Sequence, residues 1–252
     1  MSRTRFVLGL MLALIALSAV SASGAFAAEE PQWRVATKVL TSPTETEEIL
    51  AKQNGVQTLS STGLTIECTG LKLKTGATII GDTGLVNHPG TSKETIEYSG
   101  CSTPGFAKCK INGAVSGSGI IKTEPLSDKL AFETKAASEA GTQPTVTVFK
   151  TETKGVFAVF ELKEATPGTK ECPATGSIKV EGEEVVVKNL GTPETEALTH
   201  EIEAPKTAIK VYWTAKGVEH KVATLKLVGL SATYSGKAVT ELALKKNFSI
   251  VA

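Results

Sequence analysis

Apolar and polar residues alternate with a period of two along most of this chain. Leu64, Ile66 and Cys68 fall on one side of an extended segment, with Thr65, Glu67 and Thr69 on the other. Ile209, Val211 and Trp213 alternate with Lys210, Tyr212 and Thr214, and Leu225 and Leu227 with Thr224, Lys226 and Val228. Such alternation puts successive side chains on opposite faces of a half-buried strand. The run Val156-Phe157-Ala158-Val159-Phe160 is apolar on both faces, which predicts a strand held between two layers. Further strands are predicted at 94–100, 107–112, 118–123, 129–134, 145–150, 176–180, 184–189, 198–203, 231–235, 238–244 and 247–251. Glycine and proline mark the junctions, as at Pro104-Gly105 and Pro167-Gly168.

Only residues 44–52 read as a helix. Thr44 is placed to cap it, Glu45, Glu47 and Glu48 lie at the positive end of its dipole, and Asn54-Gly55 stops it. The expected fold is therefore all-β, an antiparallel β-sandwich or barrel-like architecture with one short N-terminal helix. Residues 136–143 are poor in apolar side chains. They are expected to form a long loop, or a boundary between two packed subdomains of the region 28–252.

One segment breaks the β pattern. Arg3 and Arg5 precede an almost unbroken apolar run over residues 6–20, followed by Ala25-Phe26-Ala27. This is the pattern of a secretory signal peptide over residues 1–27, with cleavage after Ala27. The run is shorter than the roughly 20 residues a membrane-spanning helix needs. The chain is expected to be secreted, extracellular or associated with the cell envelope, with no transmembrane segment after cleavage.

Composition narrows the chemistry. The 252 residues carry 27 basic and 26 acidic groups, and the leader removes two arginines and no acid, so the remainder is slightly acidic. That remainder has no methionine, one arginine (Arg34) and two aspartates (Asp82 and Asp128). Such a balance argues against a nucleic-acid partner, and two aspartates are too few for an acidic calcium loop. Two Trp and three Tyr cannot supply the aromatic girdles of an outer-membrane barrel.

Four cysteines, Cys68, Cys101, Cys109 and Cys172, predict two disulfides in an exported protein. Four cysteines allow three pairings. The Pro104-Gly105 loop between Cys101 and Cys109 favours joining those two, which leaves Cys68 with Cys172. No C-x-x-C spacing occurs and no histidine is near a cysteine, so no metal site is expected. His88, His200 and His220 read as surface or edge histidines; His200-Glu201 lacks the second histidine of a zinc-protease helix, since Ala204 stands there. Gly113-Ala114-Val115-Ser116-Gly117 is not a nucleophile elbow, and no cofactor motif is present. Glu201 with Glu203, and Glu183 with Glu184, are the acid pairs a polysaccharide hydrolase would need. Tyr212 is the candidate ligand-facing aromatic, because alternation turns Trp213 toward the core.

The stretches Thr65-Ile66-Glu67-Cys68-Thr69-Gly70, Tyr98-Ser99-Gly100-Cys101-Ser102 and Ala107-Lys108-Cys109-Lys110, with the segments around 119–132, 172–180 and 224–251, resemble a family of uncharacterised, secreted, β-rich, cysteine-framed bacterial proteins. The resemblance spans roughly residues 60–252, and residues 163–171 depart from it as an insertion. It implies export and a disulfide frame, and carries over no catalytic or binding residue. The expected function is a non-enzymatic extracellular or cell-surface module. Its partner would be cell-wall or extracellular polysaccharide, or another surface protein. The alternatives are a hydrolase using the Glu pairs, or a carrier of small apolar ligands if the sheets close around a cavity of about 300 Å³ or more.

Overall fold

Eight strands pair in chain order and then close on themselves. They are β1 (Thr46–Gln53), β2 (Thr78–Ile80), β3 (Thr91–Glu94), β4 (Leu126–Phe132), β5 (Thr145–Thr151), β6 (Glu184–Leu190), β7 (Ala197–Ala204) and β8 (Thr233–Leu242). Each runs antiparallel to the next. β8 returns to β1, with Thr240 opposite Ala51 and Leu242 opposite Ile49. The architecture is thus an up-and-down barrel, which leaves these strands no open edge. This computed structural model describes residues 30–251 apart from 84–87, 141, 191–193, 205–207 and 214–216. The expected leader over residues 1–27 lies outside the described residues.

Alternation fills the barrel in three layers. β4 turns Leu126, Asp128 and Leu130 inward, β7 turns Ile202, His200 and Leu198, and β8 turns Ala238, Thr240 and Leu242. In each triplet the first residue belongs to one apolar cluster and the last to a second. The middle residue is polar. Strand Gln32–Val35 pairs with Phe248–Val251 at the second end, where Trp33 packs against Phe248 with ring centroids 6.4 Å apart. Gly90 is required there: a Cβ would stand 2.9 Å from Trp33 Cδ1 and 3.1 Å from a Leu130 methyl.

At the first end the chain makes long excursions between barrel strands. Residues 54–77 carry the hairpin Gln57–Ser61/Leu64–Cys68, residues 95–125 carry Ile96–Cys101 and Cys109–Ile111, and residues 152–183 carry Val156–Glu164 and Gly176–Glu181. A five-stranded sheet containing Cys109–Ile111, Val156–Glu164 and Gly176–Glu181 packs Phe157, Phe160 and Leu162 into the cluster at this end.

Four expectations change. Residues 44–52 are not a helix, because Thr46–Gln53 is a barrel strand paired on both sides. Glu48 lies on the outer face with Leu50 and Lys52, whereas Glu47 has the inward parity of Ile49 at the end of the barrel, where it meets Lys246; a strand with this many glutamates mimics the start of a helix. The one helix among the described residues is α1 (Lys135–Ala140). It lies in the segment read as a loop or boundary, and it joins β4 to β5, which pair over their full length. Strand Val156–Glu164 is not covered on both faces, since Val159 is 41% exposed.

The disulfide pairing also differs: Cys68 joins Cys101, and Cys109 joins Cys172. Cys68 and Cys101 end strands that meet through the Glu67–Ser102 bridge. Cys109 begins a strand of the five-stranded sheet opposite Glu164, on the chain leading to Cys172. The Pro104-Gly105 turn therefore carries the chain between sheets and does not bring Cys101 back to Cys109.

A hairpin of Ile209–Tyr212 and Glu219–Val222 lies over the outer faces of β4, β5 and β6. It buries Ala131, Val146, Val148 and Val186 with Val211 and Val222. Elsewhere the barrel exterior carries ion pairs such as Lys52–Glu241, Lys237–Glu201 and Lys188–Glu133, unlike the apolar band of a lipid-facing barrel.

Candidate functional site

Two places gather polar side chains, and their sizes differ. The first is the middle layer of the barrel. Ser92 on β3 lies opposite Asp128 on β4. The Ser92 hydroxyl lies 2.7 Å from Glu94 Oε2 and also hydrogen-bonds Asp128 Oδ2. One hydroxyl proton cannot serve two ionised carboxylates, so the three-group cluster holds an additional proton on a carboxyl. Its surroundings favour that state. Burial pushes Asp128 up to about 7, and burial followed by the adjacent Asp128 charge pushes Glu94 well above the usual carboxylate range.

Across the same layer Asn189 Oδ1 accepts hydrogen bonds from Thr147 Oγ1 at 3.1 Å and from His200 Nδ1 at 2.9 Å. Burial holds His200 down at about 4, so its imidazole is neutral. Tyr98 and Tyr234 approach edge to face, with hydroxyls 2.6 Å apart. Ser92, Glu94, Asp128, Thr147, His200 and both tyrosines border one cavity of about 60 Å³. That volume accommodates a few waters and no larger ligand.

The second place is a trough on the outside of β3, β4 and β5, bounded by the Ile209–Tyr212 hairpin. It measures about 470 Å³ and is lined by Thr91, Lys93, Ser127, Lys129, Lys150, Glu184, Trp213 and His220, among others. A second depression of about 520 Å³ shares Lys150, Glu184 and His220 with it. The strand register builds the floor. Lys93, Ser127, Lys150 and Glu184 stand opposite one another in a row across β3, β4, β5 and β6, and Thr91, Lys129, Val148 and Val186 form the next row. His220 Nε2 donates to Glu184 at 2.7 Å, and its ring packs on Trp213 with centroids 4.9 Å apart. An indole beside mixed lysine, glutamate and hydroxyl groups suits a sugar chain, whose hydroxyls both donate and accept.

The residues singled out in the sequence are dispersed. Tyr212 is half-buried, opposite Phe132 and Glu219 in the register, and lines neither depression; Trp213 is the aromatic in the trough. Glu201 lies on the far outer face of the barrel, paired with Lys237 at 3.1 Å; the side chain of Glu203 lies outside the described residues. Glu184 is in the trough wall, and Glu183 borders the second depression. His88 meets Asp82 at 3.3 Å. His200, read as a surface or edge residue, is buried in the barrel because it continues the inward row of Leu198 and Ile202.

Glu94 and Asp128 were not apparent as candidates, yet Leu126-x-Asp128-x-Leu130 carries the same alternation signal. Among the described residues no group of three or more His, Cys, Asp or Glu is arranged for a metal ion. No protein-family model, curated protein or solved structure matches this chain.

Proposed function

We propose that this chain is an exported, non-enzymatic binding protein that holds cell-wall or extracellular polysaccharide in the trough beside Trp213. Cleavage of the leader after Ala27 delivers it to the outside, where its two disulfides persist. It belongs in this reading with the secreted, cysteine-framed family that its sequence resembles. The observation carrying the proposal is the trough itself: about 470 Å³ of accessible space joining an indole, an imidazole, lysines and hydroxyls. The barrel interior offers about 60 Å³, well below what an apolar ligand requires, so the carrier alternative is set aside. Co-sedimentation of the mature protein with wall and polysaccharide preparations tests the reading. Retention that drops about tenfold in Trp213→Ala supports it, because a sugar-stacking indole is worth on the order of 1 kcal/mol or more. Absence of retention on every preparation overturns it.

A further inference from the structure

The floor of the trough has a charge pattern of its own. Ser127 lies directly between Lys93 on β3 and Lys150 on β5, and Lys129 follows two residues along its own strand on the same face. Side chains directly opposite in an antiparallel pair have Cβ atoms about 5 Å apart, so three ammonium groups can converge over one hydroxyl. Thr91, opposite Lys129, adds a second hydroxyl. All five residues line the trough.

Three acids also line it. Glu30 is buried and Asp128 is turned into the barrel interior, where it bonds Ser92, and Glu184 is engaged by His220 at 2.7 Å and Lys150 at 3.9 Å. Lys93 and Lys129 are both exposed, and neither has an ion-pair partner among the described residues. Elsewhere on the barrel exterior lysines are matched with glutamates, as in Lys52–Glu241, Lys188–Glu133 and Lys237–Glu201. Among the lysines of the eight barrel strands, the two without an ion-pair partner are thus gathered around the hydroxyls in the depression that also presents an indole; the other lysines that lack one, such as Lys110 and Lys179, lie outside these strands.

We propose that Lys93, Ser127 and Lys129 form a subsite for the acidic substituent of a polysaccharide, a carboxylate or sulfate ester carried on the sugar that packs beside Trp213. This inference rests on the trough being the polysaccharide site. The lysines supply charge, the Ser127 and Thr91 hydroxyls donate to the oxyanion, and flexible lysine stems accommodate planar carboxylate and tetrahedral sulfate alike. Being solvent-exposed, the subsite weakens as salt rises.

The test measures binding of the mature, disulfide-bonded protein to paired probes. Oligogalacturonate is compared with its methyl ester, and a sulfated glucan oligosaccharide with its unsulfated, neutral form. The acidic member of at least one pair is expected to bind more tightly; the pair that responds distinguishes carboxylate from sulfate. Lys93→Gln and Lys129→Gln are each expected to lower that affinity about fivefold, as for one exposed charge contact, while leaving the neutral form unaffected. Lys237→Gln, which removes the same charge on the opposite side of the barrel, should have no effect.

Equal binding of acidic and neutral forms, or equal losses from Lys237→Gln and Lys93→Gln, overturns the subsite while leaving the trough intact as a neutral-sugar site. Failure of all four probes, together with no retention on wall or polysaccharide preparations, removes both readings.

Discussion

Ser92 and Asp128 stand opposite each other across β3 and β4, and both border the buried cavity as well as the trough outside it. A single layer of sheet separates the protonated carboxyl cluster from the trough. The cluster bears on stability, and the trough is the surface proposed for recognition.

The cluster gives stability a defined pH dependence. Asp128 is raised to about 7 and Glu94 is raised further above its ordinary value, whereas unfolded carboxyls titrate near 4. The folded state therefore binds more protons above about pH 4, and stability is lost as pH rises through the folded values. His200 acts in the opposite sense. Held at about 4 against roughly 6.5 when unfolded, it destabilises the fold as pH falls through that window. Two raised acids outweigh one lowered imidazole. The urea midpoint should fall from pH 5 to pH 8, each group contributing up to about 1.4 kcal/mol per pH unit. Asp128→Asn should flatten this fall, and His200→Gln should steepen it below about pH 6.5. A midpoint that climbs over the same range would contradict the assignment.

Peptide mapping of the unreduced protein should recover fragments linking Cys68 to Cys101 and Cys109 to Cys172. A fragment joining Cys101 to Cys109 would refute the fold at this end. The bonds close sequence separations of 33 and 63 residues, for which chain-entropy arguments give about 4 kcal/mol each as an upper figure. Replacing Cys109 and Cys172 together with alanine should lower unfolding free energy by about 2–4 kcal/mol.

Gly90→Ala adds a methyl where Trp33 and Leu130 already press in. Overpacking of this kind costs about 1–3 kcal/mol, read as a lower urea midpoint. Unchanged stability would show that the Trp33 end of the barrel yields more readily than its packing implies.

Binding without hydrolysis also has a direct readout. Prolonged incubation with a retained polysaccharide should release no new reducing ends, and Glu201→Gln should not alter retention, since Glu201 projects from the far side of the barrel. Reducing ends that vanish in Glu201→Gln would instead establish the hydrolase.

Alternation in the sequence was sufficient for the β class, for most strand positions and for buried faces such as Leu64, Ile66 and Cys68 or Leu225 and Leu227. It did not identify the barrel's closing contact between β8 and β1, because register between strands some 190 residues apart is set by packing and not by local pattern. The glutamates of Thr46–Gln53 resembled a helix start for the same reason: propensity is a weak prior that a closed sheet overrides. The interior acids were hidden by their type. Asp128 and Glu94 are ordinary surface residues by composition, and only membership in an apolar row marks them as buried. The trough was illegible because its lysines and Ser127 come from separate strands and meet only through the register.

The observed disulfides have a topological effect. Cys68–Cys101 closes within the first part of the chain and Cys109–Cys172 within the second, and no cysteine is left over. A protease cut between the members of either pair leaves the pieces covalently joined. A cut within residues 102–108 severs the molecule into two unlinked parts, one contributing β1 to β3 and the other β4 to β8. That short connector, with Pro104 and Gly105 exposed, lies outside both disulfide loops, so one cleavage there turns the barrel into a noncovalent pair of fragments.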